Sequence, residues 1–515
     1  MVKKKSLRWL GVSSLVASLM VLAGCSLAPT YQRPAVETPP AFKETAAPAV
    51  AGAANAPTSA DEWKVAQPSE AIPRGEWWTV FGDSTLNDLE RRALDSNQNL
   101  QAAAARLAES RAIQQTVRAG LFPTVNAGFG PTREKLSAAS QLEPDGTDVP
   151  SQTLWRAQAS ASYEVDLFGR VSDSVRAANA DAQQSEALLR SVQLALQADV
   201  AQNYFNLREL DAEIAVYDQA VKLREDALGL VQRRFNEGEI SELDVVRAKS
   251  ELATARSDEM SAQRSRAASE HSLAVLLGEP PETFSMAANP LTPINVQIPA
   301  GLPSALLERR PDIAAAERAS AAANARIGVA RAAYFPSLSL TGTGGFEAAT
   351  LGDLFKWSSR AFLLGPLAGA ALTVPIFDGG RRKGNLANAR ATFDEDAANY
   401  RQQVLVAFRE VEDNLSDLRI LKDQTRTQAE AVAASSRAAA LSRRQYDEGA
   451  VNYLDVIDAE RTVLDARRAA VQLSGGQATA TVNLIRALGG GWGDAPAPSQ
   501  GSSPAGSQVP AVAQR

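Results

Sequence analysis

The sequence predicts a mixed, mostly α chain, with long coiled-coil helices and four β-strands in a tandem duplication. Three observations carry this. The chain repeats itself at a period near 211 residues, each copy holds a proline-free stretch of 64 residues, and short segments alternate apolar with polar side chains.

The duplication is legible residue by residue. Arg118-Ala-Gly-Leu-Phe-Pro-Thr-Val125 returns as Arg331-Ala-Ala-Tyr-Phe-Pro-Ser-Leu338, and Val165-Asp-Leu-Phe168 as Val374-Pro-Ile-Phe377. Phe235-Asn-Glu-Gly-Glu-Ile-Ser-Glu-Leu-Asp-Val245 returns as Tyr446-Asp-Glu-Gly-Ala-Val-Asn-Tyr-Leu-Asp-Val456, and Leu277-Gly278 as Leu488-Gly489. Each copy is expected to run short helix, strand pair, very long helix, turn, long helix.

In the first strand pair, Trp155, Ala157, Ala159, Ala161, Tyr163 and Val165 alternate with Arg156, Gln158, Ser160, Ser162, Glu164 and Asp166. Strict period two marks a strand with one greasy and one wet face. In the second copy Leu338, Leu340 and Phe346 alternate with Ser339, Thr341 and Thr343, a weaker form of the pattern. Ala361 to Phe377 is a nearly unbroken apolar run, but it is short for a spanning helix and contains Pro366 and Pro375. It reads as the fourth strand, with Phe362, Leu364, Leu372 and Val374 on one side.

Arg170 to Arg233 and Gly380 to Arg443 are the proline-free stretches, each ~96 Å long as a helix. Val192, Leu196, Val200, Tyr204, Leu207, Ile214, Tyr217, Val221 and Leu228 lie three, four or seven apart, as in a coiled-coil seam. Asn97 to Ala119 with Ile240 to Leu277, and Arg310 to Ala333 with Val451 to Leu488, together match the long helices in length. Four struts of one length per chain are expected, two continuous and two spliced.

Composition excludes much chemistry. With Cys25 and His271 as the only thiol and imidazole, no Cys/His zinc site and no internal disulfide can form, so no metal, cofactor or enzymatic role is expected. The 53 Lys and Arg against 59 Asp and Glu leave no basic footprint for nucleic acid.

The N-terminus carries an address. Lys3, Lys4, Lys5 and Arg8 precede the apolar stretch Leu10 to Leu22, the layout of a secretory signal peptide over residues 1–24. Leu22-Ala-Gly-Cys25 resembles the lipobox of bacterial lipoproteins, which implies that Cys25 becomes the first mature residue and carries diacylglycerol and an N-acyl chain such as palmitate. Ser26, rather than Asp, then favours sorting to the outer membrane. Residues 25–75 form a Pro/Ala-rich N-terminal segment, 76–300 and 301–492 the two repeats, and 493–515 a disordered tail.

Four strands with a lipid-facing side cannot stand alone, because open edges in a membrane leave backbone groups unsatisfied at several kcal/mol each. Two chains would give a barrel plugged by its own side chains, so a duct needs at least three.

The residues that complete the pattern are Trp77-Trp78, Leu121-Phe-Pro123, Asp166-Leu-Phe-Gly-Arg170, Gly301-Leu-Pro-Ser304, Arg309-Arg-Pro-Asp312, Phe335-Pro336 and Leu488-Gly-Gly-Gly-Trp492. Together they resemble the TolC-like outer-membrane factors of tripartite efflux systems, and among them the lipoprotein branch beside multidrug pumps. The resemblance implies a homotrimer with a trimeric 12-stranded outer-membrane β-barrel and a long periplasmic α-barrel. It implies a passive duct for drugs or other small toxic compounds, engaged by a periplasmic adaptor and an inner-membrane transporter of RND type. Two alternatives stay open: the outlet of a type I protein secretion system, and, from another class, a periplasmic adaptor lipoprotein. The latter would show one hairpin and soluble β-domains rather than two equal halves.

The turns Glu237-Gly238-Glu239 and Glu448-Gly449-Ala450 are expected at the far tip, where glycine supplies a left-handed helix ending. The resemblance suggests adaptor docking there, through Gly238, Ile240, Ser241, Gly449, Val451 and Asn452. Phe235 aligns with Tyr446, Arg247 with Asp458 and Ser250 with Arg461, so the second copy alone has the hydroxyl, carboxylate and guanidinium. Leu454, Asp458 and Arg461 share a helix face. Tyr446, Leu454, Asp458 and Arg461 are therefore the expected periplasmic gate, with Leu454 and Asp458 forming rings around an axis. The other reading is a set of solvated pairs at a helix end. Gly342-Thr-Gly-Gly345 lies within a strand and lacks the Lys and helix of a phosphate loop. Gly379-Gly-Arg-Arg-Lys383 marks a tight junction or a helix start.

Overall fold

The computed structural model describes residues 26–45, 76–292, 294, 296, 309–364 and 369–490. Cys25, the signal segment, Gly301-Leu-Pro-Ser304 and the tail lie outside the described residues. The helices are α1 (Ser84–Ser96), α2 (Gln98–Ala119), α3 (Arg170–Asn236), α4 (Glu242–Leu276), α5 (Pro311–Ala332), α6 (Arg381–Asp447) and α7 (Tyr453–Ala487). The strands are β1 (Thr124–Glu134), β2 (Gln152–Val165), β3 (Ser337–Ala348), β4 (Arg360–Leu364) and β5 (Ala370–Thr373). Both α3 and α6 run 67 residues, about 100 Å at 1.5 Å per residue. No described helix is long and apolar enough to cross a membrane.

The chain divides into two compact units that do not follow the repeats. One comprises residues 1–38, 99–192 and 311–406, the other 39–98, 193–310 and 407–515. Each unit takes residues from both copies.

The first unit holds the sheet, in the antiparallel order β1-β2-β3-β4, with β5 also paired to β3. The fourth strand is thus two pieces. Gly342 faces Leu364 and Leu340 faces Ala370, so β5 pairs with a register displaced by four residues from that of β4. An even displacement keeps Phe362, Leu364, Ala370 and Leu372 on one face, where an odd one would have turned Leu372 to the other side.

Pairing carries that face across the sheet. Val125 meets Ala161, Phe129 meets Ala157, Ala157 meets Phe346 and Tyr163 meets Leu340. Val125, Phe129, Phe362 and Leu372 are all exposed. The opposite face carries Asn126, Gln158, Ser160, Ser162, Thr341 and Thr343, with Leu363 as an apolar exception. Near one end Arg156 reaches Glu134 at 2.8 Å and Glu347 at 2.5 Å. Gly345 has a packing reason to be glycine. A Cβ there would fall on the Ala157 carbonyl oxygen and 2.7 Å from Gln158 Cα.

Each strand-to-helix junction is capped by an aspartate. Asp166 accepts from the Val171 and Ser172 amides at 3.1 and 2.7 Å, and Asp378 from those of Gly380 and Arg382 at 3.0 and 3.1 Å. The Gly379-Gly-Arg-Arg-Lys383 stretch is accordingly the start of α6. Phe168 and Phe335, from the repeated Phe motifs, stack with centroids 4.8 Å apart.

In the second unit the seam residues Leu196, Val200, Tyr204, Leu207, Tyr217 and Val221 are buried as their spacing predicts. The repeated Leu-Gly pairs end α4 and α7. Gly278 and Gly489 adopt φ of +71° and +90°, and a Cβ on either would strike the backbone at Ser96 or Arg309. The next residue in each crossing segment caps the helix: Asn97 Nδ2 donates to the Leu276 carbonyl at 2.8 Å, Arg310 Nη1 to that of Ala487 at 3.0 Å. The two copies keep the contact with different side chains.

Candidate functional site

The two helical turns are built alike. After α3, the Gly238 and Glu239 amides donate to Phe235 and Arg234 carbonyls at 2.9 Å each. After α6, those of Gly449 and Ala450 donate to Tyr446 and Gln445 at 3.0 and 2.8 Å. Gly238 and Gly449 have φ of +78° and +76°, and a Cβ on either would meet nothing within 4 Å. The glycines are there for backbone conformation, not for close packing.

The helices that follow start differently. Asn452 forms a capping box with Asp455, each side chain accepting from the other's amide at 3.2 Å. Ser241 makes no side-chain cap. Its hydroxyl donates to Asp244 Oδ2 at 3.2 Å.

Between the turns lies an apolar cluster of Val231, Val245, Ala248, Tyr446, Tyr453, Val456 and Ile457, with Ile240 and Val451 packed against it. The Tyr446 and Tyr453 rings stand 5.4 Å apart, and the Arg234 guanidinium lies 5.0 Å from the Tyr446 centroid. Burial, then Glu460 and Tyr446, push the Tyr453 phenol up to about 12. Of the expected docking residues, Gly238, Ser241, Gly449 and Asn452 are exposed, whereas Ile240 and Val451 are half-buried staples of the cluster.

The four expected gate residues separate into two groups. Tyr446 is buried and its hydroxyl has no hydrogen-bond partner among the described residues, so it does not reach Asp458 or Arg461. Leu454 and Asp458 are exposed, one helical turn apart. Arg461 Nη1 lies 3.7 Å from Asp458 Oδ1, but its principal partner is Glu251 of the first copy. Arg461 Nε donates to Glu251 Oε2 at 3.1 Å and Nη2 to Oε1, a two-pronged contact.

Glu251 was not among the residues the sequence singled out. Its carboxylate is also 3.5 Å from Arg224 Nη2, and Arg224 donates to its carbonyl at 3.3 Å. One buried carboxylate thereby links α3, α4 and α7. The available signal was positional: Glu251 follows Ser250, the repeat partner of Arg461. A second link joins α6 to α7, where Arg443 Nη1 donates to Glu460 Oε1 at 3.0 Å.

The two hairpins also differ in what they expose. Phe235 and Val246 are exposed, while their repeat partners Tyr446 and Ile457 are buried; Leu243 is exposed like Leu454. Among the described residues no group of three or more His, Cys, Asp or Glu is placed to hold a metal ion.

The family model for outer membrane efflux proteins matches this chain twice, over residues 89–279 and 302–490. The chain belongs to that family. It is 34% identical over 477 residues to the toluene efflux pump outer membrane protein TtgF of Pseudomonas putida, covering 93% of this chain and 96% of that protein. It is 32% identical over 477 residues to the cation efflux system protein CusC of Escherichia coli, covering 92% and 97%. Its fold matches the solved outer-membrane channel OprN with a TM-score of 0.80 at 30% identity, over 91% of this chain and all of the other. The efflux protein is thus an outer-membrane channel component, as its sequence motifs imply, and the family is one of channels.

Proposed function

We propose that three copies of this efflux protein close into one duct, with twelve strands in the outer membrane and the helices as its periplasmic wall. The observation that carries this is the sheet, apolar on one face and polar on the other, whose β1 and β4/β5 outer edges pair with nothing among the described residues. In lipid such edges must be satisfied by another copy. The exposed Phe235 and Val246 fit the same closure, since a neighbour's second hairpin would cover them as Tyr446 and Ile457 are covered within the chain.

Cys25 anchors the protein through its acyl chains, and the duct is passive. A periplasmic adaptor engages the turns at Gly238, Ser241, Gly449 and Asn452, with Ile240 and Val451 holding the turns in shape. An RND-type inner-membrane transporter supplies the cargo. TtgF and CusC carry toluene and cation efflux in their names, which supports a duct whose selectivity comes from the pump that feeds it.

At the tip, Leu454 and Asp458 form apolar and acidic rings, and the Arg461 contact with Glu251 ties the two hairpins together. Planar-bilayer conductance tests this reading. Arg461→Ala and Asp458→Ala are expected to conduct more than wild type, and no rise in either would refute the gate.

A further inference from the structure

The apolar face of the sheet carries charge at one end only. Register puts Arg133, opposite Thr153, on the face of Val125 and Phe129, and Arg360, opposite Phe346, on the face of Phe362. No other Lys, Arg, Asp or Glu of the paired strands falls on that face. Arg133 is the last residue but one of β1 and Arg360 the first of β4, so both stand where the strands turn back, at the end away from the helices.

Both arginines are exposed, and neither meets a carboxylate among the described residues. Arg133 Nη2 donates to Ser151 Oγ at 3.0 Å, and Arg360 Nε to the Trp357 carbonyl at 2.9 Å, with its guanidinium carbon 3.0 Å from the Trp357 ring centroid. The other cations at this end are neutralised. Lys135 pairs with Asp148 at 2.7 Å, Lys356 with Asp353, and Arg156, on the polar face, with Glu134 and Glu347. Aromatic rings surround the two that are not. Phe129 lies 6.0 Å from Trp155 and Phe346 5.6 Å from Phe355, while Phe355 and Trp357 are 70% and 76% exposed.

A cation on a lipid-facing strand is tolerated at headgroup level and not in the hydrocarbon. The anion available at that level is phosphate, which a guanidinium grips with two parallel hydrogen bonds. We propose that Arg133 and Arg360 bind the phosphate of anionic membrane lipids at the rim of the duct farthest from the helices, with Trp357 and Phe355 at the boundary between headgroup and acyl chain. The inference rests on the reading of the sheet as one third of a membrane barrel. Closure would join β4 of one copy to β1 of the next, giving each joint two like charges on its lipid side, and a bound anion relieves their repulsion.

Native mass spectrometry of the purified full-length protein, titrated with phosphatidylglycerol and with phosphatidylcholine, tests the proposal. Wild type is expected to prefer phosphatidylglycerol, because the choline cation of the other lipid competes with arginine for the phosphate. Arg133→Gln/Arg360→Gln is expected to weaken phosphatidylglycerol binding about tenfold, the scale of a lost charge-assisted hydrogen bond, and to leave phosphatidylcholine binding unchanged. Lys135→Gln/Lys356→Gln, which removes cations already paired, is expected to keep the preference. An arginine variant with wild-type preference, a lysine variant that loses as much, or displacement of the lipid by equimolar inorganic phosphate would overturn the proposal. The same spectra report the oligomeric mass, so a monomer that binds neither lipid would overturn the barrel reading and the site with it.

Discussion

Glu90, on α1, is fully buried with neither carboxylate oxygen hydrogen-bonded among the described residues, and burial alone pushes it up to about 9 from 4.5. The folded state therefore binds this proton more tightly than the unfolded chain. Its stabilising effect is complete below about pH 4.5 and is lost as pH rises toward 9, at up to about 1.4 kcal/mol per pH unit. Glu90→Gln should flatten the decline in melting temperature between pH 5 and 9, and an unchanged slope would count against this account. Arg461 makes a second residue-level case. Its removal leaves Glu251 with Arg224 as its remaining cationic neighbour among the described residues. Arg461→Ala should then be less destabilising than Arg461→Ala/Glu251→Gln, measured by thermal melting, because the double change also leaves the buried Arg224 guanidinium without its carboxylate.

At the scale of elements, the helices were legible because their spacing is regular over many turns, and the boundaries predicted for α3 and α6 fell within four residues of those observed. The fourth strand was legible only as a face. Its break into β4 and β5 depends on where backbone hydrogen bonds can reach β3, which apolar alternation does not encode. Gly345 is a test of that pairing. Gly345→Ala places carbon against the Ala157 carbonyl and should lower the yield of folded protein in the outer membrane, whereas the Cβ of Gly344→Ala meets nothing within 4 Å and should be tolerated far better. The turns were readable from glycine and the repeat, but the half-buried state of Ile240 and Val451 was not, since both copies carry the same apolar pattern whether it faces a core or a partner.

For the whole molecule, the duplication explains why one chain can expose in its first hairpin what it buries in its second. Val246→Asp should reduce the trimer fraction in detergent, read by light scattering, while leaving helix content by circular dichroism near wild type. Ala255→Asp, at a fully buried position on the same helix, should instead reduce both. The sequence by itself determined the repeat, the long helices, the two-faced strands and the family, because these follow from periodicity and local backbone chemistry written along one chain. Only the tertiary structure decided that Arg461 pairs with Glu251, that Tyr446 turns inward and that Asp173 Oδ1 accepts from Ser26. Each of these depends on which side chains meet across hundreds of residues, a matter of packing that no local pattern records.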